Sequence, residues 1–166
     1  CLREIADGRH QRRANDLAAQ LRAGMNGVMC ELGLPGFVYG QASEFRVVIA
    51  GYGEPTTHTK FFQFVDDMRG HPIRFDMVSN GHQLDAESIR HLDGAIGLLL
   101  VSFSSIDPEV YKRVHVNLDQ ARVMENIQTA QRIFKHTRLA ISLTPMPECL
   151  PSLPDTIAWL RAQGVE

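Results

Sequence analysis

The stretch GLLLVSFS, residues 97–104, decides the fold class of this chain. It is an almost continuous apolar run of strand length, and such runs are typical of strands that are buried on both faces. Strands of this kind occur in parallel sheets that helices cover on each side. Asp107 and Pro108 follow, and they predict the start of a helix with proline at its first position. The stretch therefore predicts one strand–helix unit inside an α/β domain.

The same alternation continues on both sides of this unit. Apolar or alternating segments predict further strands, each followed by a helix, at residues 45–50, 73–78 and 139–144. This order calls for a parallel sheet with right-handed crossovers. An extra helix is predicted over residues 12–32, where an apolar stripe is formed by Leu17, Leu21, Val28 and Leu32. We predict an α/β fold, with parallel strands in a partial (incomplete) TIM-type barrel of about four βα units, preceded by the N-terminal helix.

The composition is that of a soluble globular protein. Of 166 residues, 44% are hydrophobic and 22% charged, and the net charge is −2, so neither nucleic acid nor an anionic membrane is an expected partner. No apolar run approaches the length of a membrane span. Three scattered cysteines, Cys1, Cys30 and Cys149, give no disulfide framework, which favours the cytoplasm. No metal site is predicted, because His58 and His82 have no carboxylate or cysteine at ligand spacing.

Both ends of the sequence suggest a fragment of a longer chain. The sequence begins with Cys1 rather than methionine, and it stops after RAQGVE, where a helix has ended and a strand would follow. Half a barrel has open sheet edges, so the pairing of two chains into a homodimer is a further expectation.

The strand-end loops carry the candidate site, because ligands in α/β folds bind at the carboxyl ends of the strands. The loop GYGEPTTH offers backbone N–H groups at Gly51 and Gly53 beside the Glu54 carboxylate, which suits a ligand with an ammonium and a carboxylate. The next two loops offer polar groups that suit the hydroxyls of a sugar, at Ser79, Asn80, Ser102 and Ser104. An amino acid joined to a ribose is S-adenosylmethionine, the predicted ligand. The alternative is a tight turn with a solvated Glu54 in the first loop, and helix capping or turn chemistry for Ser79 and Asn80. For Ser102 it is a hydroxyl bonded to the backbone inside an apolar run.

Residues 46–166 resemble the radical S-adenosylmethionine (radical SAM) enzymes through three motifs in order: VVIAGYGEPTTH, SNGHQLD and VSFSSIDPEVY. The resemblance implies a turn that binds the methionine amino group, formed here by Gly51, Tyr52, Gly53, Glu54 and Pro55. It also implies an Asn-Gly turn after the next strand, matched by Asn80 and Gly81, and ribose contacts from Ser102 and Ser104. The cofactors that the family implies are S-adenosylmethionine and a [4Fe–4S] cluster.

The cysteine triplet that defines this family, spaced three and then two residues apart, is absent from the sequence. In the family it ligates three irons of the cluster, and the fourth iron binds the methionine end of the cofactor. Cys1, Cys30 and Cys149 do not have that spacing. The resemblance implies a radical SAM enzyme, but the chain by itself is expected to be inactive in radical chemistry.

Residues 2–49 resemble a different family, the class III pyridoxal-phosphate-dependent aminotransferases of the glutamate-1-semialdehyde aminomutase type. The resemblance lies in a helix followed by GLPGFVYGQASEF. That family's cofactor lysine belongs to a large domain absent here, so pyridoxal phosphate is a cofactor only under this alternative. The predicted boundary divides an aminotransferase-like segment, residues 1–45, from a radical SAM-like domain, residues 46–166. A gene fusion, an assembly artefact or a computed sequence would each explain the junction, and a folded remnant without a ligand is the third alternative.

Overall fold

The computed structural model describes residues 46–50, 53–69, 74–143 and 146–165, together with most positions of a helical segment at 16–31. This segment lies within the extra N-terminal helix that the sequence predicts over residues 12–32. The Leu17 side chain of the predicted apolar stripe is half exposed. The other stripe positions, Leu21, Val28 and Leu32, lie outside the described residues.

The described strands form one parallel sheet in the order β1-β2-β3-β4. They are β1 (Arg46–Ile49), β2 (Arg74–Ser79), β3 (Leu98–Ser102) and β4 (Arg138–Ser142). Each strand pairs only with its neighbours along the chain, so Met77 of β2 lies beside both Ile49 of β1 and Leu99 of β3. The predicted α/β fold with parallel strands is therefore confirmed.

Helices connect the strands and cover the sheet. They are α1 (Phe61–Met68), α2 (Ala86–Leu92), α3 (Pro108–Val114), α4 (Gln120–Ile133) and α5 (Leu153–Ala162). Two short 3-10 helices, Pro55–Thr57 and Pro147–Ser152, lie in the loops after β1 and β4. Three of the described helices begin at an aspartate whose side chain accepts hydrogen bonds from first-turn N–H groups, and these caps are Asp85, Asp107 and Asp119. No helix in the described ranges combines the length and the hydropathy that crossing a membrane requires.

The core lies between the sheet and the helices. Consecutive residues of β2, Phe75 to Met77, are all buried, so both faces of this strand are covered. Fully buried side chains on the helices pack with those of the strands, among them Val65, Ile89, Leu92, Val123 and Ile127. Removal of this apolar surface from water is the main favourable term in folding. Because β1 and β4 are the edges of the described sheet, the homodimer through open edges stays a prediction.

Asp93 ties the end of α2 to the loop that leads into β4. Its Oδ1 atom accepts hydrogen bonds from the backbone N–H groups of Lys135, His136 and Thr137, at 3.1, 2.9 and 3.0 Å. Partial burial alone would raise the pKa of the Asp93 carboxyl, but these hydrogen bonds outweigh it and hold the pKa below its ordinary value. The ionised side chain therefore favours the folded state at neutral pH.

We expect Asp93→Asn to lower the free energy of unfolding by about 1–2 kcal/mol at pH 7, because neutral hydrogen bonds replace charge-assisted ones. Since folding lowers the pKa, the contribution is present above the ordinary value of 3.8 and is lost as the pH falls through the folded value. In urea unfolding, the difference between wild type and variant should shrink from pH 7 to about pH 3.5. Asp67→Asn, at an exposed position of α1, is the control. A difference that does not change with pH would contradict this role.

Candidate functional site

The loops after the carboxyl ends of the strands form the candidate site. The turn after β1 is joined to the end of β2 by hydrogen bonds of Glu54. Glu54 caps the 3-10 helix there, because its Oε1 atom accepts from the Thr56 N–H at 3.2 Å and from the Thr56 hydroxyl at 2.6 Å. The same side chain reaches the end of β2, where Oε1 accepts from the Ser79 hydroxyl at 2.8 Å and Oε2 accepts from the Asn80 N–H at 2.6 Å. We call Glu54, Thr56, Ser79 and Asn80 the Glu54 cluster.

The Glu54 carboxylate is partly buried and has no cationic partner in the described part of the chain. The ion pairs found there join Asp66 to Arg69 and to His91, and neither reaches Glu54. From the described residues, Oε1 accepts three hydrogen bonds and Oε2 accepts one, so Oε2 can accept from a further donor. The donors to this partly buried carboxylate in the described part of the chain are neutral, so a cationic group of a ligand could add a charge-assisted contact to the cluster.

The structure brings together the predicted residues of the first two loops. Gly53 is exposed and Pro55 is buried, on either side of Glu54. Gly51 and Tyr52, also predicted in this turn, lie outside the described residues. The sequence predicts that the loops after β1 and β2 lie close together. In the structure, Ser79 and Asn80 at the end of β2 donate hydrogen bonds directly to Glu54 in the turn after β1.

Ser79 and Asn80 use most of their polar groups within the protein. The Ser79 side chain is only 2% exposed, and its hydroxyl oxygen accepts the Gly81 N–H at 3.0 Å while the hydroxyl donates to Glu54. The Asn80 side-chain oxygen accepts the His82 N–H at 2.9 Å. Both contacts are turn chemistry of the kind that Ser and Asn commonly perform. They give the two residues a part in the shape of the loop, and the ribose contacts predicted for them stay a prediction.

The residues predicted in the β3 loop have different surroundings. Ser102 is partly exposed at the end of β3 and stands opposite Ser142 of β4. Ser104 is 1% exposed, and its hydroxyl lies 2.7 Å from Nε2 of His115, which follows α3. No hydrogen bond joins Ser102 or Ser104 to the Glu54 cluster within the described ranges. Ser104 therefore has a partner inside the protein, whereas Ser102 is the more exposed of the two residues.

Tyr111 packs beside His115, the hydrogen-bond partner of Ser104. Its ring stacks on His115 at a centroid distance of 4.5 Å and lies 5.3 Å from the ring of Phe103. Burial lowers the pKa of His115, and burial together with the charge of Asp119 raises the pKa of Tyr111 to about 12. Both side chains are thus neutral at pH 7, and their rings form an aromatic stack beside the Ser104 hydroxyl.

Sequence reasoning missed two residues that the structure connects to this site. Thr56 was detectable, because a threonine two residues after an acidic residue is a common local cap or turn pattern. Asn126 of α4 gave no local signal. Its side-chain N–H group donates to the carbonyl oxygens of Gly81 and His82, at 2.8 and 3.3 Å, across 45 and 44 residues of sequence.

The residues present do not fit an iron–sulfur cluster. Cys30 is exposed in the N-terminal helical segment and Cys149 is buried in the second 3-10 helix. Cys1 lies outside the described residues. Within the described ranges, no group of three or more His, Cys, Asp or Glu side chains is arranged to hold a metal ion. A [4Fe–4S] cluster requires several cysteine thiolates close together, and these positions do not supply them.

A cavity of about 590 Å³ lies between β4 and α5, and it is distinct from the Glu54 cluster. It is lined by Ile141, Leu143, Ile157, Leu160, Arg161, Gly164 and Val165. None of the predicted site residues is among them. The cavity is therefore a feature of the β4 edge of the sheet.

Comparison with known proteins identifies relatives of this architecture. The family model described as the Radical SAM superfamily matches residues 38–159. Streptococcus suis SuiB bound to precursor peptide SuiA is similar with a TM-score of 0.62 and 12% identity, over 72% of this chain and 27% of SuiB. SuiB bound to S-adenosylmethionine gives the same TM-score and identity, over 73% and 28%. Archaeal TYW1 has a TM-score of 0.57 and 14% identity, over 89% of this chain and 50% of TYW1. No curated protein matches.

These comparisons bear on the two resemblances differently. The chain spans about a quarter of SuiB and half of TYW1, and at this level of identity the likeness shows a shared fold. The family match covers most of the segment for which the sequence predicts a radical SAM-like domain. The aminotransferase resemblance of residues 2–49 receives no support, and the family match begins at residue 38 within that segment. The predicted boundary between residues 45 and 46 stays a prediction.

Proposed function

Because this chain belongs to the radical SAM superfamily, we propose that it binds the amino-acid end of S-adenosylmethionine at the turn formed by Gly53, Glu54 and Pro55. The observation that carries the proposal is the partly buried Glu54 carboxylate, which has neutral donors around it and no cationic partner in the described part of the chain. An ammonium group of a ligand would supply that partner. The structure of SuiB bound to S-adenosylmethionine supports the same ligand class here.

The residues of the cluster have separate tasks in this proposal. Thr56 and Ser79 donate to Oε1 of Glu54 and fix the orientation of the carboxylate. Among the described residues only the Asn80 N–H donates to Oε2, so Oε2 is the atom with capacity for the ligand ammonium. Gly53 is exposed and has no side chain, so a ligand can approach the backbone beside the carboxylate. Such preorganisation lowers the conformational cost of binding.

We assign to this chain the binding of the cofactor and no step of radical chemistry. In radical SAM enzymes the reactive chemistry is supplied by the cluster and the cofactor together. The cysteines of this chain do not fit the cluster, so the 166 residues alone are expected not to cleave S-adenosylmethionine. The chain's own residues bind and orient the amino-acid end.

Isothermal titration calorimetry with S-adenosylmethionine tests the proposal. We expect weak binding by the wild-type chain, because the contact of the ligand with the cluster iron is missing. Glu54→Gln should raise Kd roughly tenfold or more, since a charge-assisted hydrogen bond contributes about 1–3 kcal/mol. Gly53→Val should weaken binding similarly, because its side chain would obstruct the backbone N–H groups.

Glu148→Gln is the matched control for this titration, because Glu148 is an exposed carboxylate in the loop after β4. Its Kd should equal that of the wild type. Equal heats of binding for wild type, Gly53→Val and Glu54→Gln would show that the turn does not contribute to ligand binding, and the proposal would then be wrong.

A further inference from the structure

Asn126 is a polar residue on the side of α4 that meets the β2 loop. Its neighbours on the inner side of the helix are apolar and fully buried, at Val123 and Ile127. The Asn126 amide instead spans the gap to the loop and donates to two successive backbone carbonyls, those of Gly81 and His82. The contact joins elements that are far apart in the sequence, so it fixes the loop relative to the helix.

The loop that Asn126 holds is the loop that supplies two donors to Glu54. Gly81 follows Asn80 directly, and its N–H returns to the Ser79 hydroxyl at 3.0 Å. Ser79 and Asn80 in turn donate to the two oxygens of Glu54. Hydrogen bonds on either side of the Gly81 backbone therefore connect the Asn126 amide with the Glu54 carboxylate.

We infer that Asn126 is a positioning residue for the amino-acid half of the ligand: it holds the loop after β2 so that Ser79 and Asn80 orient the Glu54 carboxylate. The inference rests on the proposed function and adds to it a residue of α4. Asn126 acts through the loop and not by touching the ligand. Ser79 is 2% exposed and the Asn80 side-chain oxygen accepts the His82 N–H, so in this inference the two residues act on Glu54 and not on the ribose. Loss of Asn126 should therefore weaken recognition of the amino-acid half and leave recognition of the nucleoside half unchanged.

Two ligands separate these halves. S-adenosylhomocysteine carries both the amino acid and the nucleoside, whereas 5′-methylthioadenosine carries the nucleoside and lacks the amino acid. A residue that merely stabilises the fold would alter the Kd of both ligands by the same factor. A residue that positions Glu54 alters only the Kd of the first.

The test uses the full chain with two variants and one control. Asn126→Asp keeps the shape of the side chain and removes its N–H donors, and Asn126→Ala removes the group altogether. Gln131→Ala is the control, because Gln131 also lies on α4 and donates to a backbone carbonyl, that of Gly164, at 2.8 Å. For both Asn126 variants we expect the Kd of S-adenosylhomocysteine to rise about fivefold to tenfold, the size expected for one hydrogen bond to a partly buried group. The Kd of 5′-methylthioadenosine should change less than twofold in each variant, and Gln131→Ala should bind both ligands as the wild type does.

Amide hydrogen exchange gives a second readout that needs no ligand. The N–H groups of Asn80 and Gly81 should exchange about tenfold faster in the Asn126 variants, because local opening of the loop becomes easier. In Gln131→Ala their exchange rates should match the wild type. Unchanged exchange at both amides would overturn the inference.

The outcomes of the titration are distinct. If the wild type binds S-adenosylhomocysteine and the Asn126 variants bind both ligands as well as it does, the inference is wrong and the proposed function stands. Equal weakening of both ligands would also overturn it, since that result indicates a general structural role. If the wild type binds 5′-methylthioadenosine and S-adenosylhomocysteine with the same Kd, the amino acid adds no affinity. The proposed function then fails, and the inference fails with it.

Discussion

Gly81→Ala should lower the free energy of unfolding by about 2–4 kcal/mol, with two causes acting together. Gly81 has a φ of +77°, a conformation that is strained for a residue with a side chain. A Cβ atom there would lie 2.8 Å from Cγ1 of Val101 and 3.2 Å from Cγ1 of Val123. Both valines are fully buried, and β-branched side chains have little rotamer freedom with which to move away.

Gly94→Ala separates the two causes. Gly94 has a φ of +75°, nearly that of Gly81, but a Cβ atom there would meet His136 at 3.6 Å, an ordinary van der Waals distance. We expect its cost to be about 1 kcal/mol, because backbone strain is partly offset by the lower entropy of the unfolded chain. Urea unfolding of the two variants and the wild type measures the difference. Equal losses would show that contact with the valines has no energetic consequence.

The parallel α/β architecture was predictable from the sequence because its signals are local. The apolar run at residues 97–104 contains β3 (Leu98–Ser102), and the Asp107–Pro108 pair begins α3 as predicted. Burial on both faces leaves a continuous apolar run, and a proline at the first helical position needs no intrahelical partner for its nitrogen. Neither signal requires knowledge of distant residues.

The site was predictable only to the level of which loops meet. Parallel strands present their carboxyl ends at one edge, so the convergence of Glu54 with Ser79 and Asn80 follows from topology. Which acceptor atom receives a hydrogen bond from which donor depends on side-chain rotamers and on residues that are distant in the sequence. Asn126 reaches the β2 loop from 45 residues away, and the Ser104 hydroxyl lies against His115 in the interior, which no periodicity indicates.

Phe103→Ala should give the largest loss of stability, about 3–5 kcal/mol, because it truncates an aromatic side chain that is fully buried. Phe103 follows β3 directly, and its N–H donates to the carbonyl of Ser142 at 3.0 Å. Its ring lies 5.3 Å from that of Tyr111 and 5.6 Å from that of Trp159. One side chain therefore links the end of β3 with α3 and α5, and its removal leaves a cavity among all three.

Phe62→Ala is the matched control, because Phe62 also contacts two aromatic rings, those of Phe61 at 5.6 Å and His91 at 4.9 Å. Phe62 is 41% exposed, so its truncation opens no enclosed cavity and should cost about 1 kcal/mol or less.

Phe103→Leu should fall between the two, since it keeps most of the buried volume. Urea unfolding of the three variants ranks these costs. Similar losses for Phe103→Ala and Phe62→Ala would mean that ring contacts, and not burial, set the energy at both positions. A domain stabilised by about 5–15 kcal/mol can lose a large part of that stability with Phe103, so Phe103→Leu keeps the comparison measurable if Phe103→Ala is already unfolded in water.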